Sequence, residues 1–321
     1  MDEMEISDAV AKKTGVRVKG DAPAFHWTTY RGGGVLARLY LPDGDGLAPF
    51  LRECAREGVF PFLLGGGSDT LIADGTVRRA AVSTRGARRV RVDGQTVTAQ
   101  CGARIADIVR AGREAGLGGL EFLAGVPATA GGAVHMNAGA FGAEIGDYVV
   151  EIECLNPVSG ETVVLKREEA DFGYRRGVRL PVLGVTLRLD RMSAEESERR
   201  AEEYLAVRRG AQPLAPSCGS VFRRCVLSGA TPLAQALLES LPDSAGAVVG
   251  AVTVSAGLLV ERAGLKGARC GGAMISPVHA NFIVNAGGGT AADFLSLAKL
   301  AERRVRDLFG VTLQREFVLL E

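Results

Sequence analysis

Val59-Phe60-Pro61-Phe62-Leu63-Leu64-Gly65-Gly66-Gly67-Ser68-Asp69 is an apolar run that ends abruptly in three glycines. It reads as a buried strand delivering a tight turn. Just upstream, Leu47, Phe50, Leu51 and Cys54 recur at helical spacing before Gly58 as the C-cap. Before that, Thr28 to Tyr40 reads as a strand pair broken by Gly32-Gly33-Gly34, after a polar start without pattern. Strand, helix, strand and glycine turn predict a small α/β lobe over residues 1–85. Without Cβ atoms, the turn's amides can face inward as a donor nest for phosphate, the alternative being a plain tight turn. No Gly-Lys-Ser/Thr follows it and no G-x-G-x-x-G is present, so Walker and Rossmann phosphate loops are excluded.

Downstream, Val90 and Val92, the Asp93-Gly94 turn, and Val97 and Ala99 predict a β-hairpin, followed by a helix through Ile105, Ile108 and Val109. This opens a second lobe, residues 86–200, with strands at Val149 to Leu155, Val163 to Leu165 and Gly184 to Leu189. Between them, Gly125 to Gly142 is glycine-rich and nearly uncharged, a poor surface loop but a good wall for a flat apolar cofactor. Asn137 in it carries amide groups of the kind that orient a heteroaromatic ring edge or ribose; a turn-forming Asn is the alternative. Ser193 and Glu196 form a capping box for a charged helix. The third region, residues 201–321, contains Ser217-Cys218-Gly219-Ser220, a less regular stretch over 226–255, a helix capped by Thr290 and closed by Gly310, and a last strand from Val311 to Leu320.

Composition narrows the function classes. Lys and Arg number 38 against 37 Asp and Glu, a net charge of +1, so nothing draws the chain generally to nucleic acid or an anionic membrane. The start lacks the cationic and apolar pattern of a secretory signal, and no apolar run approaches the ~20 residues that span a bilayer. A cytoplasmic location is expected. The six cysteines are scattered, with no C-x-x-C and three histidines in all, which supports neither a metal site nor a disulfide framework.

Several segments, in order, resemble the UDP-N-acetylenolpyruvoylglucosamine reductase (MurB) family: Thr28-Thr29-Tyr30-Arg31, Leu64 to Ser68, Gly125-Val126-Pro127 through Gly132-Ala133-Val134, Met136 to Ala140, Gly219-Ser220-Val221-Phe222, Ala263 to Gly267 and His279 to Asn285. The passage from Leu187-Arg188-Leu189 into a helix and on to Gln212-Pro213-Leu214 resembles the shorter type II branch. The resemblance implies an α+β chain: a two-lobe FAD-binding region of the MurB and vanillyl-alcohol-oxidase type, then a smaller α+β substrate domain. It implies noncovalent FAD, NADPH as co-substrate, and reduction of UDP-N-acetylglucosamine enolpyruvate to UDP-N-acetylmuramate for peptidoglycan synthesis. The partner is then a UDP-sugar; oligomeric state stays open.

By the same resemblance, Ser220 is the proton donor and Arg175 and Glu316 stabilise the developing enolate. FAD falls to Gly65, Gly66, Gly67, Ser68, Asp69, Gly125, Thr129, Gly131, Gly132, Asn137, Ala138 and Gly139, and the substrate to Tyr174, Arg209, Arg223, His279 and Asn281. His135 is not expected to attach the flavin. Asp69 stands where the family usually has Asn and Gly177 where it commonly has Ser, and 226–255 looks like an insertion. These departures motivate the alternative, a MurB-like flavin reductase with a different substrate; a noncatalytic flavin-binding protein is the third class.

Overall fold

In the computed structural model, residues 2–228, 236, 246–248 and 251–321 are described. The start of the chain, where the sequence shows no pattern, is a helix, Glu3–Thr14. Its ends define it: Asp2 and Glu5 cap each other reciprocally at 2.9 and 2.8 Å, and Gly15 closes it at φ 70°. Only Ser7, Val10 and Ala11 are buried, too narrow a stripe to show as periodicity. The expected strand pair also lies elsewhere. Arg17–Pro23, mostly exposed, pairs antiparallel with Val35–Leu41, and the glycines sit in the connection between them. At Gly34 a Cβ would stand 2.0 Å from the Gly75 carbonyl oxygen, so this crossing of backbones admits only glycine. Phe62–Leu64, Thr76–Val77 and Ala81–Ser83 complete the five-stranded mixed sheet, backed by the helix Leu47–Arg56.

The second lobe is a five-stranded antiparallel sheet in the order Thr162–Lys166, Val149–Leu155, Val182–Arg188, Thr96–Gln100, Val90–Asp93. The hairpin turns at Gly94, φ 57°, as its Asp-Gly pair dictates. One buried cluster runs from Val10 and Phe50 through Val97 and Ile108 to Ile152 and Leu187, so the first two lobes share a core. The helix Ala194–Ala211 is capped by Ser193, whose Oγ accepts from Glu196 N at 3.2 Å, and packs on Glu121–Leu123.

The third region sets the strands Arg269–Cys270, Ala273–Ile275 and Ile283–Asn285 against the helices Ala256–Arg262 and Ala291–Phe309. Phe294 fills its centre, edge-on to Tyr30 at 5.1 Å and Phe317 at 5.0 Å, pairs worth about 0.5–1.5 kcal/mol each beyond area burial. In the insertion, Cys225–Ser228 and Gly246–Val248 flank Ala251–Val254 in an antiparallel sheet; residues 229–235, 237–245, 249 and 250 lie outside the described residues.

The third region is locked to the first lobe. The terminal strand is shorter than expected, Val318–Leu320, and pairs parallel with Thr70–Ile72, burying Leu320 in the first lobe's core. Asp74 accepts from Ala291 N and Ala292 N at 2.9 and 2.8 Å, neutralising the N-terminus of the long helix. Asn285 donates to the carbonyls of Tyr30 and Arg31 at 3.2 and 2.9 Å.

Candidate active site

The glycine turn is where three segments meet. A Cβ at Gly65 would lie 2.6 Å from Thr129 Oγ1, at Gly66 2.7 Å from Pro127 O and at Gly67, φ 66°, 2.0 Å from Trp27 O. Side chains would push these segments apart. The turn's carbonyls all face protein: Gly65 O and Gly66 O accept from Arg85 at 3.3 and 3.1 Å, and Gly67 O from Thr29 N at 3.0 Å. By contrast, the N–H groups of Gly66, Gly67, Ser68 and Asp69 donate to no protein acceptor among the described residues. Consecutive free amides form an anion-binding concavity. Beside them is a cleft of about 670 Å³ lined by Thr28, Thr29, Gly66, Arg85, Pro127 and Ser217 among others. That lies within the roughly 300–1,000 Å³ of cofactor sites. A dinucleotide fits these residues, its diphosphate on the amides.

The expected loop over 125–142 folds instead around a helix, Ala130–Met136, despite two glycines in its first turn. Thr129 Oγ1 accepts from Gly132 N at 3.5 Å, Gly131 N donates to Cys101 O at 2.8 Å, and Ala138 N to Ala133 O at 2.7 Å. These amides are committed to the fold. Asn137 requires a correction: it is fully buried at φ 47°, as the helix's left-handed cap. Its Nδ2 donates to Glu144 at 2.5 Å and Gly173 O at 3.0 Å, while its Oδ1 accepts from Gly146 N at 3.0 Å. The amide that was expected to orient a cofactor is used up inside the protein. Gly125, φ 82°, packs under Leu205 and Arg208, and Gly139 O accepts from Arg175 at 3.3 Å.

Arg175 and Glu316, 141 residues apart, meet at 2.5 Å. Arg175 sits in a two-residue turn closed by mutual Gly173–Arg176 backbone hydrogen bonds, at φ 53°, a conformation that is strained for arginine and aims its guanidinium at the third region. Arg176 instead turns to exposed Asp171 at 3.0 Å. Gly177 is required here, since a Cβ would lie 1.8 Å from Val134 O; a serine is excluded by the backbone. Glu316 is held by its N–H on Val221 O at 2.9 Å, and its side chain is 11% exposed. Burial raises its pKa, with Arg175 and Arg223 opposing. Asp69 belongs to the same group. Burial first, then the charge of Glu316, push its carboxyl up to about 8, with Arg175 and Arg223 again opposing. Two carboxyls and two guanidiniums, from all three regions, thus share one enclosed volume. Arg223 Nε within it is buried with no partner among the described residues.

Ser220 is half-buried, and its hydroxyl has no protein partner among the described residues. Its segment is fixed beside Glu316 by the isolated Phe222–Arg315 bridge and by Arg223 N on Gln314 O at 2.8 Å. Asn281, expected at the substrate, braces this segment instead. Its Oδ1 accepts from Phe222 N at 3.0 Å and its Nδ2 donates to Phe222 O at 2.8 Å, while its carbonyl accepts from Val221 N. His279 also acts locally, its Nδ1 accepting from Asn281 N at 3.1 Å and its ring edge-on to Phe282; burial lowers its pKa. Arg209 is exposed on its helix, and it is Arg208 that turns inward, donating to Phe122 O at 3.1 Å and lying over Phe141. Tyr174 bridges the regions: its hydroxyl accepts from Arg224 N at 3.1 Å. Sequence reading missed Arg85, Arg208 and the bracing role of Asn281, because their partners lie tens of residues away.

A cleft and free amides that suit a dinucleotide, with a carboxyl and guanidinium cluster that includes Asp69 at the end of the amide run, mark a nucleotide-cofactor enzyme; the family matches give its class, an FAD-binding oxidoreductase with a characteristic C-terminal domain. Residues 41–166 match the FAD binding domain model and residues 212–320 the UDP-N-acetylenolpyruvoylglucosamine reductase C-terminal domain model. UDP-N-acetylenolpyruvoylglucosamine reductase 2 of Bacillus cereus (strain ATCC 10987 / NRS 248) is 37% identical over 305 residues, covering 93% of this chain and 91% of its own length. The reductase of Rubrobacter xylanophilus is 35% identical, covering 93% of each. The crystal structure of the Thermus caldophilus reductase (MurB) superposes with a TM-score of 0.73 at 31% identity, covering 95% of this chain and 100% of that one. The chain belongs to the UDP-N-acetylenolpyruvoylglucosamine reductase family.

Proposed function

We propose that this protein is the UDP-N-acetylmuramate dehydrogenase of its cell, reducing UDP-N-acetylglucosamine enolpyruvate with NADPH, and that Ser220, Arg175 and Glu316 carry the chemistry. FAD bound in the cleft supplies the two-electron transfer linking NADPH to the enolpyruvyl double bond. Reduction at the methylene carbon builds negative charge on the adjacent carbon and its carboxylate. The Arg175 guanidinium, kept in place by Glu316, provides the cation for that charge. The Ser220 hydroxyl, free of protein partners, gives its proton to the adjacent carbon. Glu316, its pKa raised by burial against the opposing charges of Arg175 and Arg223, is the carboxyl of the same enclosure. Arg223 and Tyr174 line the substrate side, with Arg223 Nε available to an anionic group. Among the described residues no helix is long and apolar enough to cross a membrane, in keeping with a cytoplasmic precursor step.

The observation that carries this reading is the meeting of Arg175 and Glu316 beside the segment that holds Ser220. The test is Ser220→Ala. NADPH should still bleach the bound flavin, while formation of UDP-N-acetylmuramate falls by about 10²–10⁴-fold, the usual worth of a positioned acid. Unchanged turnover, or NADPH oxidation indifferent to the enolpyruvyl substrate, would overturn the assignment.

A further inference from the structure

Arg85 is a charged side chain without a counter-charge. Its guanidinium is enclosed by backbone: Nε donates to Gly65 O at 3.3 Å, Nη1 to His26 O at 3.2 Å, and Nη2 to Trp27 O at 2.9 Å and Gly66 O at 3.1 Å. It lies over the Trp27 ring, 4.9 Å from the centroid. No carboxylate pairs with it among the described residues, and its pKa is lowered by burial alone. Four of the five guanidinium N–H donors are used on carbonyls, leaving one on Nη1. A partly buried cation without an anion is costly to a fold, and a ligand's negative charge in the adjoining cleft would offset that cost.

Position supplies the ligand's chemistry. Arg85 lines the same cleft as Gly66, Thr28 and Thr29. By drawing the Gly65 and Gly66 carbonyls toward itself, it leaves the amides of Gly66 to Asp69 free of protein acceptors. We infer that Arg85 is the positioning residue and electrostatic anchor of the cofactor's diphosphate, holding the glycine turn in its donor-outward shape and supplying the positive charge behind it. The inference rests on the flavin reading of the cleft. It places the diphosphate of the dinucleotide here and not that of the UDP-sugar.

The test measures binding, not turnover. FAD, riboflavin and UDP are titrated separately into flavin-free wild-type protein, Arg85→Met and Arg85→Lys, following flavin fluorescence for the first two and calorimetry for UDP. Losing hydrogen bonds to a charged group should weaken FAD by about 10–100-fold in Arg85→Met. Riboflavin, which has no phosphate, and UDP should bind as to wild type. Arg85→Lys keeps the charge but not the fork, and should fall between the two with a preserved salt dependence. Equal loss of FAD and riboflavin would reduce Arg85 to a structural clamp and overturn the anchor. Selective loss of UDP would assign the nest to the substrate, also overturning it. If Arg85→Met does not fold, Arg85→Lys decides alone: unchanged FAD affinity refutes the fork's role. Wild-type protein that binds no flavin at all would fail the functional reading itself.

Discussion

Asp69→Asn should make the fold more stable, by a margin that grows as pH rises from about 4 to about 8. In the folded chain the Asp69 carboxyl, enclosed beside Glu316, keeps its proton up to about pH 8. In the unfolded chain an ordinary aspartate gives its proton up near pH 3.9. Between these values the native state binds more protons than the unfolded one, so stability falls as pH rises, by about 1.4 kcal/mol per pH unit, and levels off above pH 8. From pH 5 to pH 8.5 that slope amounts to about 4 kcal/mol. Asparagine has nearly the same shape and no proton to lose, so the variant lacks this contribution. Urea denaturation of flavin-free wild type and variant at both pH values reads the difference from the midpoints. The expected outcome is a variant more stable at both pH values, by roughly 1.5 kcal/mol at pH 5 and by about 4 kcal/mol more than that at pH 8.5. A stability difference that is the same at the two pH values would show that the Asp69 carboxyl is not enclosed with Glu316, and would dissolve the four-charge cluster as described.

Arg175→Ala should lower kcat/KM by about 10²–10³, by analogy with a lost oxyanion donor. Removing the guanidinium that opposes it should also move the Glu316 titration to higher pH, visible in the pH profile; a near-normal enzyme would remove Arg175 from the mechanism. Asn281→Ala orphans a buried N–H and C=O of Phe222 and should cost about 2 kcal/mol or more in denaturation. It should also lower kcat more than it changes KM, since it loosens the segment carrying Ser220; equal effects on both would place Asn281 at the substrate.

Much of the scaffold was legible in the sequence because its signals are local and strong. The hairpin around Asp93-Gly94 and the helices Leu47–Arg56, Ile105–Glu114 and Ala291–Phe309 appear where periodicity and caps put them. The helix Glu3–Thr14 has three buried residues, and its one usable signal is the Asp2 and Glu5 capping box. Arg17–Pro23 is exposed on nearly every position, so it lacks alternation. The helix within 125–142 forms against the propensity of its glycines, through the Thr129 cap and the contacts of Gly131 with Cys101. Arg175 and Glu316 were legible as types in motifs, but their contact was not. Asn137 and Asn281 look alike in sequence as polar groups in loops; only their partners reveal that both serve the backbone.

The parallel pairing of Thr70–Ile72 with Val318–Leu320 sets an order on how the molecule matures. The strand that leaves the glycine turn finds its neighbour almost 250 positions later, two residues after Glu316. A nascent chain cannot close this pairing until residues 318–320 have been made, and such distant closure slows folding. The strand leaving the glycine turn and the segment carrying Glu316 therefore take their final places together, in one late closure.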